Sequence, residues 1–347
     1  MAQKMKRTRD YPLVELRGRS FCTTGEFTRE ELSELLDLAM KFKTVGHAQP
    51  LAGRSVALVF FNPSLRTRTS MEIGVSQLGG HPVSLEVGSG TWSLEWREGA
   101  IMNQDKTEHV KDAVQVLSRY VDAIAVRCFP GMRDWNEDKT DPILAEFRKY
   151  SRVPIVNMES ALWHPCQALA DVLTMHQALG SLDKRKVTLA WVNHPKPLPH
   201  AVPNSFALAC AQFGIDLTIA CPPEYQLSDE IMAQLEAKSS DAGGAVRVVN
   251  DLNEGFAEAE IVYAKSWAGL PFYGDAAKDQ AGRQPYQNWI IDSERMALTS
   301  KGRFMHCLPV RRNVEVTDEV IDSANSLVYD EAENRLHVQK AILASIL

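Results

Sequence analysis

The sequence predicts an α/β protein of two domains, each with a mostly parallel sheet covered by helices. Three observations carry that reading. Short apolar runs at residues 55–61, 123–127, 187–192 and 261–264 alternate with helical patterns along almost the whole chain. A polar break at 180–185 divides the alternation into two series, which sets the domains at 1–180 and 181–330 with a closing helix at about 331–347. The 347 residues are 45% hydrophobic, enough to bury two cores.

In chain order, Thr28 and Glu31 are spaced as a capping box, and Leu32, Leu35, Leu36 and Met40 mark the buried face of the helix that follows. The run 55–61 reads as a strand. Ser64-Leu65-Arg66-Thr67-Arg68 then opens a helical pattern in which Met71, Val75 and Leu78 face a core. A short strand at 82–85 gives way to an irregular stretch from Glu86 to about Thr107, which holds Gly88, Gly90 and Gly99 with Trp92 and Trp96. Loops that long inside a compact domain are uncommon and often functional. Val110, Ala113, Val114, Leu117 and Val121 keep helical spacing ahead of the strand 123–127. A helix near 142–150, a strand at 153–157 and a helix after Gln167, with Leu169, Val172, Leu173 and His176, complete the first series.

The second series begins with strand 187–192 and a proline-rich loop, 193–199. Helix 202–213, strand 217–220, helix 228–242 and strand 246–249 follow, then a short helix and strand 261–264. After a variable loop come helix 293–298 and strand 303–306. Leu336, Ala341, Ile342 and Ile346 give the last stretch a helical face.

Composition closes off several functions. With 38 basic and 44 acidic residues the net charge is −6, which opposes nucleic acid or an anionic membrane surface as a partner. No apolar run reaches membrane-spanning length, and the opening Met-Ala-Gln-Lys-Met-Lys-Arg does not lead into a signal-peptide core, so a cytoplasmic protein is expected. Cys22, Cys128, Cys166, Cys210, Cys221 and Cys307 are scattered without a CxxC pair or zinc spacing, which indicates neither disulfides nor a metal. The glycine fingerprint of dinucleotide sites, the nucleotide P-loop and the GxSxG serine elbow are all missing from the sequence.

In open parallel sheets, ligands bind beyond the carboxyl ends of the strands. The polar residues at those ends are therefore the candidates. After strand 55–61, Ser64 caps a helix whose first N–H groups are unpaired, and Arg66 and Thr67 add a cation and a hydroxyl, an anion site suited to phosphate. Taken alone, the same stretch is also an ordinary capped helix with solvated arginines. Arg66 and Arg68 lie about 200° apart at 100° per residue, so Arg66 is assigned to the ligand and Arg68 to structural pairing. Arg127 ends another strand, and Glu159, His164 and Gln167 follow a third. The second series offers Asn193 to Lys196, Lys265-Ser266-Trp267 and Cys307-Leu308-Pro309-Val310-Arg311-Arg312. Singly, Arg127 also reads as a partnered structural arginine, His164 as a core or capping histidine and Lys265 as a solvated strand end. Together, cationic donors from two domains facing one cleft suit a substrate with a phosphate and a carboxylate. Nothing in the sequence pairs Cys307 with a base, as a thiol nucleophile requires.

Ser64-Leu65-Arg66-Thr67-Arg68 resembles the S-x-R-T-R carbamoyl-phosphate signature of the aspartate and ornithine carbamoyltransferases. His164-Pro165-Cys166-Gln167 is similar to their H-P-x-Q element, and His306-Cys307-Leu308-Pro309 to the H-C-L-P of the ornithine branch. The resemblance implies a carbamoyl-phosphate domain followed by an amino-acid domain, joined by interdomain helices, with the closing helix returning to the first. It also implies a homotrimer with active sites between subunits, and neither a metal nor an organic cofactor. Ser64, Leu65, Arg66 and Thr67 would hold the phosphate with Arg127, while His164 and Gln167 hold the carbamoyl group beside backbone groups of Cys307 and Leu308. Transfer itself would fall to Arg66, Thr67, Arg127 and His164. Trp92 resembles a loop tryptophan that reaches the neighbouring subunit's site in the branch acting on N-acylated ornithine, and Arg335 matches an arginine of that site. In that branch Glu159, His194, Lys265, Leu308 and Arg311 line the amino-acid pocket.

Ornithine enzymes meet the α-ammonium of their substrate with an aspartate in a D-x-x-x-S-M-G segment. The stretch here is Ile261-Val262-Tyr263-Ala264-Lys265-Ser266-Trp267-Ala268-Gly269. A lysine there repels an α-ammonium and suits a neutral α-amide, so an N-acylornithine is expected. The Lys265 segment and the run from Asp330 to Lys340 resemble the acetyl type. Thr107 occupies the position that resembles the acyl-selecting one, where acetyl-type enzymes carry glutamate and succinyl-type enzymes proline. Glu315 stands where some acetyl-type members carry lysine. The expected reaction is direct carbamoyl transfer from carbamoyl phosphate to the δ-amine of N-acetylornithine, in arginine biosynthesis. Succinylornithine, ornithine or putrescine as acceptor, or a silent carbamoyl-phosphate-binding paralogue, are the alternatives.

Overall fold

The computed structural model describes residues 16–46 and 49–347, and the opening Met1 to Arg7 lies outside them. Helix α1, Arg29–Thr44, starts at the capping box: Thr28 Oγ1 accepts the Glu31 N–H at 3.2 Å, and the Glu31 carboxylate accepts the Thr28 N–H at 2.9 Å. Its buried face includes Leu32, Leu35 and Leu36 as expected, whereas Met40 is only half-buried.

The first half is built from β1 (Ser55–Phe60), α2 (Arg66–Gln77) and β2 (His81–Glu86). An irregular stretch follows, broken only by the two-residue strands β3 (Leu94–Glu95) and β4 (Glu108–His109), which pair with each other. Then come α3 (Val110–Tyr120), β5 (Ala123–Arg127), α4 (Trp135–Asp138), α5 (Pro142–Tyr150), β6 (Ile155–Glu159) and α6 (Pro165–Leu179). Four of these strands form a parallel sheet in the order β2-β1-β5-β6. Both faces are covered: Val56, Leu58 and Phe60 face one core, and Ala57 and Val59 face another with Val114, Ile124 and Phe147.

Two boundaries depart from the sequence reading. Strand β6 starts at Ile155 rather than residue 153, because Pro154 lacks the N–H that the ladder needs, and it runs on through Glu159. Helix α6 starts at Pro165, whose fixed φ and missing N–H suit a first helical position. Gln167 therefore lies inside the first helical turn instead of ahead of it.

The second half contains β7 (Lys186–Trp191), α7 (Ala201–Gln212), β8 (Asp216–Ala220), α8 (Asp229–Ala242) and β9 (Ala245–Val249). It continues with α9 (Leu252–Phe256), β10 (Ile261–Lys265), α10 (Ala276–Gly282), α11 (Ser293–Met296), β11 (Arg303–Met305) and α12 (Asp318–Ile321). Its parallel sheet has the order β11-β10-β7-β8-β9. Helices α4, α10 and α12 are too short for periodicity to reveal. In each sheet the first strand of the half lies between neighbours on both sides, so crossovers leave it in opposite directions. That is where a crevice opens beyond the strand ends. The loops after β1 and β7 carry Ser64 and His194.

The last helix, α13 (Val328–Ile346), begins three residues earlier than read. It crosses back to pack on α1, α2 and α6, while α6 packs on α7 and so joins the halves. This return brings the α13 side chains to the ends of β1 and β6. Among the described residues no helix is long and apolar enough to cross a membrane.

Candidate active site

The turn after β1 makes the expected cap. Ser64 Oγ accepts the Thr67 N–H at 3.1 Å, although regular helix begins at Arg66. Thr67 is buried, Arg66 half-buried and Leu65 exposed. Arg68 turns away: it pairs with Glu86 at the end of β2, and its guanidinium lies 5.0 Å from the Phe60 ring centroid. Ser64, Leu65, Arg66 and Thr67 open onto a cleft of about 530 Å³ between the halves.

On the same sheet edge, Arg127 and Glu159 are register partners at the ends of β5 and β6, and their side chains form a buried ion pair. The Arg127 guanidinium also stands 4.4 Å from the Phe129 ring centroid. Glu159 Oε2 lies 3.5 Å from His164 Nε2, so this carboxylate braces His164 as well as lining the cleft. Burial, with the charges of Arg335, Arg127 and Lys265 adding to it, pushes the buried His164 imidazole well below its ordinary 6.5, so it is neutral at physiological pH. Burial lowers the Arg66 and Arg335 guanidiniums too, and Arg127 adds like-charge repulsion to both.

The returning helix supplies Arg335, which donates from Nη2 to Thr67 Oγ1 at 2.7 Å. Gln167 Nε2 donates to Asp171 Oδ1 at 2.7 Å and to Glu331 Oε1 at 2.8 Å. Both Gln167 and Arg335 line the cleft.

The second half closes the cleft with Lys265 at the end of β10 and with His194, Cys307, Leu308 and Glu315. The Arg311 Nε–H donates to His194 Nε2 at 2.9 Å, which leaves the ring proton on Nδ1, 2.8 Å from the Lys196 carbonyl. Leu308 has a left-handed φ of 52°, uncommon for a residue with a side chain, and its N–H donates to His306 Nδ1 at 2.8 Å. His306 Nε2 in turn lies 3.7 Å from Glu315 Oε1, while Glu315 Oε2 accepts the Arg311 N–H at 2.7 Å. Burial opposes ionisation of Glu315, yet His306, Lys265 and the Arg311 N–H outweigh it and hold the carboxyl at about 2. Burial pushes the Cys307 thiol up to about 12, which removes it as a nucleophile near neutrality.

Of the residues that the resemblance assigns to the site, the structure gathers all but Arg311 and Trp92 into one cleft, while Asn193, Lys196, Ser266, Trp267 and Arg312 also lie outside it. Arg311 is exposed and reaches the site only through His194, because its guanidinium is drawn to the imidazole. Trp92 is 66% exposed on the long loop and lies outside this chain's cleft, as does exposed Thr107. The sequence reading missed Phe129 and the buried acids Asp171 and Glu331. The i, i+4 spacing of Gln167 and Asp171 was the one available signal for the acids. Arg66 Nε, Arg127 Nε, Arg335 Nε, His164 Nδ1 and Gln167 Oε1 are buried without a hydrogen-bond partner among the described residues. Native sites seldom leave such groups unmatched unless a ligand completes them. Among the described residues no group of three or more His, Cys, Asp or Glu side chains is placed to hold a metal.

A two-domain parallel fold with an anion-binding helix start facing a polar second half defines a class, and comparison places the chain within it. Residues 19–177 match the carbamoyl-P binding domain model of the aspartate/ornithine carbamoyltransferases, and residues 186–346 match the Asp/Orn binding domain model. The chain belongs to the aspartate/ornithine carbamoyltransferase family. It is 47% identical to the N-acetylornithine carbamoyltransferase of Xanthomonas campestris pv. campestris, over 94% of this chain and 97% of that protein. It is 38% identical to the N-succinylornithine carbamoyltransferase of Bacteroides thetaiotaomicron, over 81% of this chain and 84% of that one. The crystal structure of an acetylornithine transcarbamylase complexed with acetylcitrulline superposes with a TM-score of 0.93 at 46% identity, covering 95% of this chain and 99% of the other.

The His164 environment has a pH signature. Its folded-state pKa is depressed, so the unfolded chain binds the extra proton first, and the stability that neutral His164 contributes is present above about pH 6.5 and lost as pH falls below it. In NMR titrations the His164 ring signals should stay at their neutral shifts between about pH 8 and pH 6. A midpoint near 6.5 would show that the ring is not buried among cations.

Proposed function

We propose that this chain transfers the carbamoyl group of carbamoyl phosphate to the δ-amine of N-acetyl-L-ornithine, giving N-acetyl-L-citrulline and phosphate, a step of arginine biosynthesis. The observation that carries the reading is the set of unmatched buried donors on Arg66, Arg127 and Arg335, all lining one cleft with His164 beside the start of α2. In this reading residues 1–180 bind carbamoyl phosphate and residues 181–330 bind the acylornithine. The N-terminal N–H groups of α2 with Ser64, Leu65, Arg66 and Thr67 receive the phosphate. Arg127, Thr67 and the ring N–H of neutral His164 polarise the carbamoyl carbonyl, while Gln167 and the Cys307 and Leu308 backbone hold the amide.

The chemistry needs no covalent enzyme intermediate. The lone pair of the neutral δ-amine forms the new nitrogen–carbon bond, and the carbon–oxygen bond to phosphorus-bearing oxygen then breaks. The phosphate leaves with the bond's electron pair, and being strongly basic it takes the proton that the nitrogen sheds. Donors fixed before reaction stabilise the carbonyl oxygen and leaving group as their charge grows.

Lys265 and His194, with Glu159 and Leu308, face the amino-acid end, and Arg311 acts through His194. A lysine is the wrong charge for a free α-ammonium and suits a substrate whose α-nitrogen is acylated. The higher identity to the Xanthomonas protein than to the succinyl-type protein supports acetyl as the acyl group. The reading includes a cytoplasmic homotrimer in which Trp92 of each subunit completes its neighbour's site; the exposure of that indole on the long loop supports it.

Phosphate release and ureido product should be measured with carbamoyl phosphate and each amine separately. N-acetylornithine should turn over, and ornithine, putrescine and N-succinylornithine should lag far behind. Turnover of free ornithine but not of its acyl derivatives would sink the acceptor assignment, and silence with every amine would favour a binding paralogue. Under saturating substrates, Arg66→Ala should lose about 10²-fold or more in kcat, as removal of a preorganised charged donor does elsewhere.

A further inference from the structure

Behind the cleft, an acid from the middle of the chain and one from its closing helix meet at a single amide. Asp171 on α6 and Glu331 on α13 are both wholly buried, and their carboxyls converge on one amide. Burial raises both carboxyls, and the contact with Asp171 raises Glu331 further, so the pair retains a proton near neutrality. The amide of Gln167 spends both hydrogens on them, one on Asp171 Oδ1 at 2.7 Å and one on Glu331 Oε1 at 2.8 Å. Glu331 Oε2 accepts the His306 N–H at 3.0 Å, one residue before the cleft-lining Cys307 and Leu308. The other end of the Gln167 amide, Oε1, is buried without a partner.

Neither acid is among the residues given a part in transfer above, yet their geometry fixes something that transfer needs. A glutamine amide presents a donor on one side and an acceptor on the other, and a flip exchanges them. We propose that the Asp171–Glu331 carboxyl pair is a positioning element that locks the Gln167 amide with its Oε1 acceptor toward the substrate, so that the cleft selects a carbamoyl NH2 group. A flipped amide would lose both N–H donations to the carboxyls, could regain at most the pair's one O–H, and would turn NH2 toward NH2, so it loses hydrogen bonds on both sides. The same pair ties the end of β11 to α6 and α13, which sets the Cys307–Leu308 turn relative to Gln167.

This inference rests on the carbamoyl-phosphate reading, and its test separates the two. Two unreactive phosphonates serve as probes: phosphonoacetamide, which presents NH2, and 2-oxopropylphosphonate, which presents CH3 in its place. Calorimetry on the full chain reads the ratio of their dissociation constants. The wild-type protein should prefer the amide by about tenfold or more, the value of one hydrogen bond to an otherwise unmatched buried acceptor. Asp171→Asn offers an N–H to Gln167, which permits the flip, and should bring the ratio to within about twofold of unity. Glu331→Gln offers an N–H to the same amide in the same way and should also lower the ratio toward unity. Affinity for both phosphonates alike would fall if the substitutions merely loosened the fold, leaving the ratio unchanged.

A folded Asp171→Asn protein that keeps the full wild-type ratio overturns the positioning role. If that variant does not fold, Asp171→Ser, which removes the paired carboxyl oxygens at smaller volume, carries the same expectation and the same contrary outcome. A wild-type protein that binds neither phosphonate overturns the carbamoyl-phosphate reading and the proposal with it.

Discussion

Arg127 and Arg335 are buried and Arg66 half-buried around the start of α2, with one carboxylate, Glu159, in a close ion pair among them. Desolvated like charges raise the free energy of a fold unless counter-charge meets them. That imbalance organises the rest. The guanidiniums come from β5, α2 and α13, so closing the helix at the end of the chain back onto the first sheet is what completes the cluster. Burial, with the same charges adding to it, keeps His164 neutral, so it adds no further cation. They leave a bound anion as the natural counter-charge, and a phosphate that departs only after its bond has broken keeps that match through the reaction.

The second half faces this cluster with a different electrostatic pattern. Lys265 stands opposite Glu315, whose carboxylate is held ionised by burial-opposing contacts to His306 and the Arg311 N–H. Arg311, expected to line the amino-acid pocket, instead sets the tautomer of His194. Glu159 likewise serves two sides of the cleft, bracing Arg127 and His164 while lining the space where an amino acid would lie.

What the sequence made legible follows from the range of the forces involved. Strand–helix alternation is local, so the order of the large elements and the Thr28 capping box could be read directly. That Arg66 and Arg68 point different ways followed from helix geometry. The Pro154 and Pro165 boundaries shifted because one missing N–H outweighs apolar patterning. Short helices such as α4 and α12 have no period to detect. Contacts between distant parts of the chain were the least legible: the meeting of Asp171 and Glu331, and the capture of Arg311 by His194, depend on crossovers that no local pattern encodes. Trp92 was singled out by resemblance, and in the single chain its indole faces outward, away from the cleft.

The central claim is that the Arg66, Arg127 and Arg335 cluster and the start of α2 form one anion site continuous with a carbamoyl site at His164 and Gln167. A crystal structure of the protein with phosphonoacetamide tests it most directly. The phosphonate oxygens should lie within hydrogen-bond distance of the first N–H groups of α2 and of Arg66, with the carbonyl toward His164 and the NH2 toward Gln167 Oε1. A phosphonate bound elsewhere, or one seated at α2 with its amide turned out of the His164 and Gln167 pocket, would contradict the account.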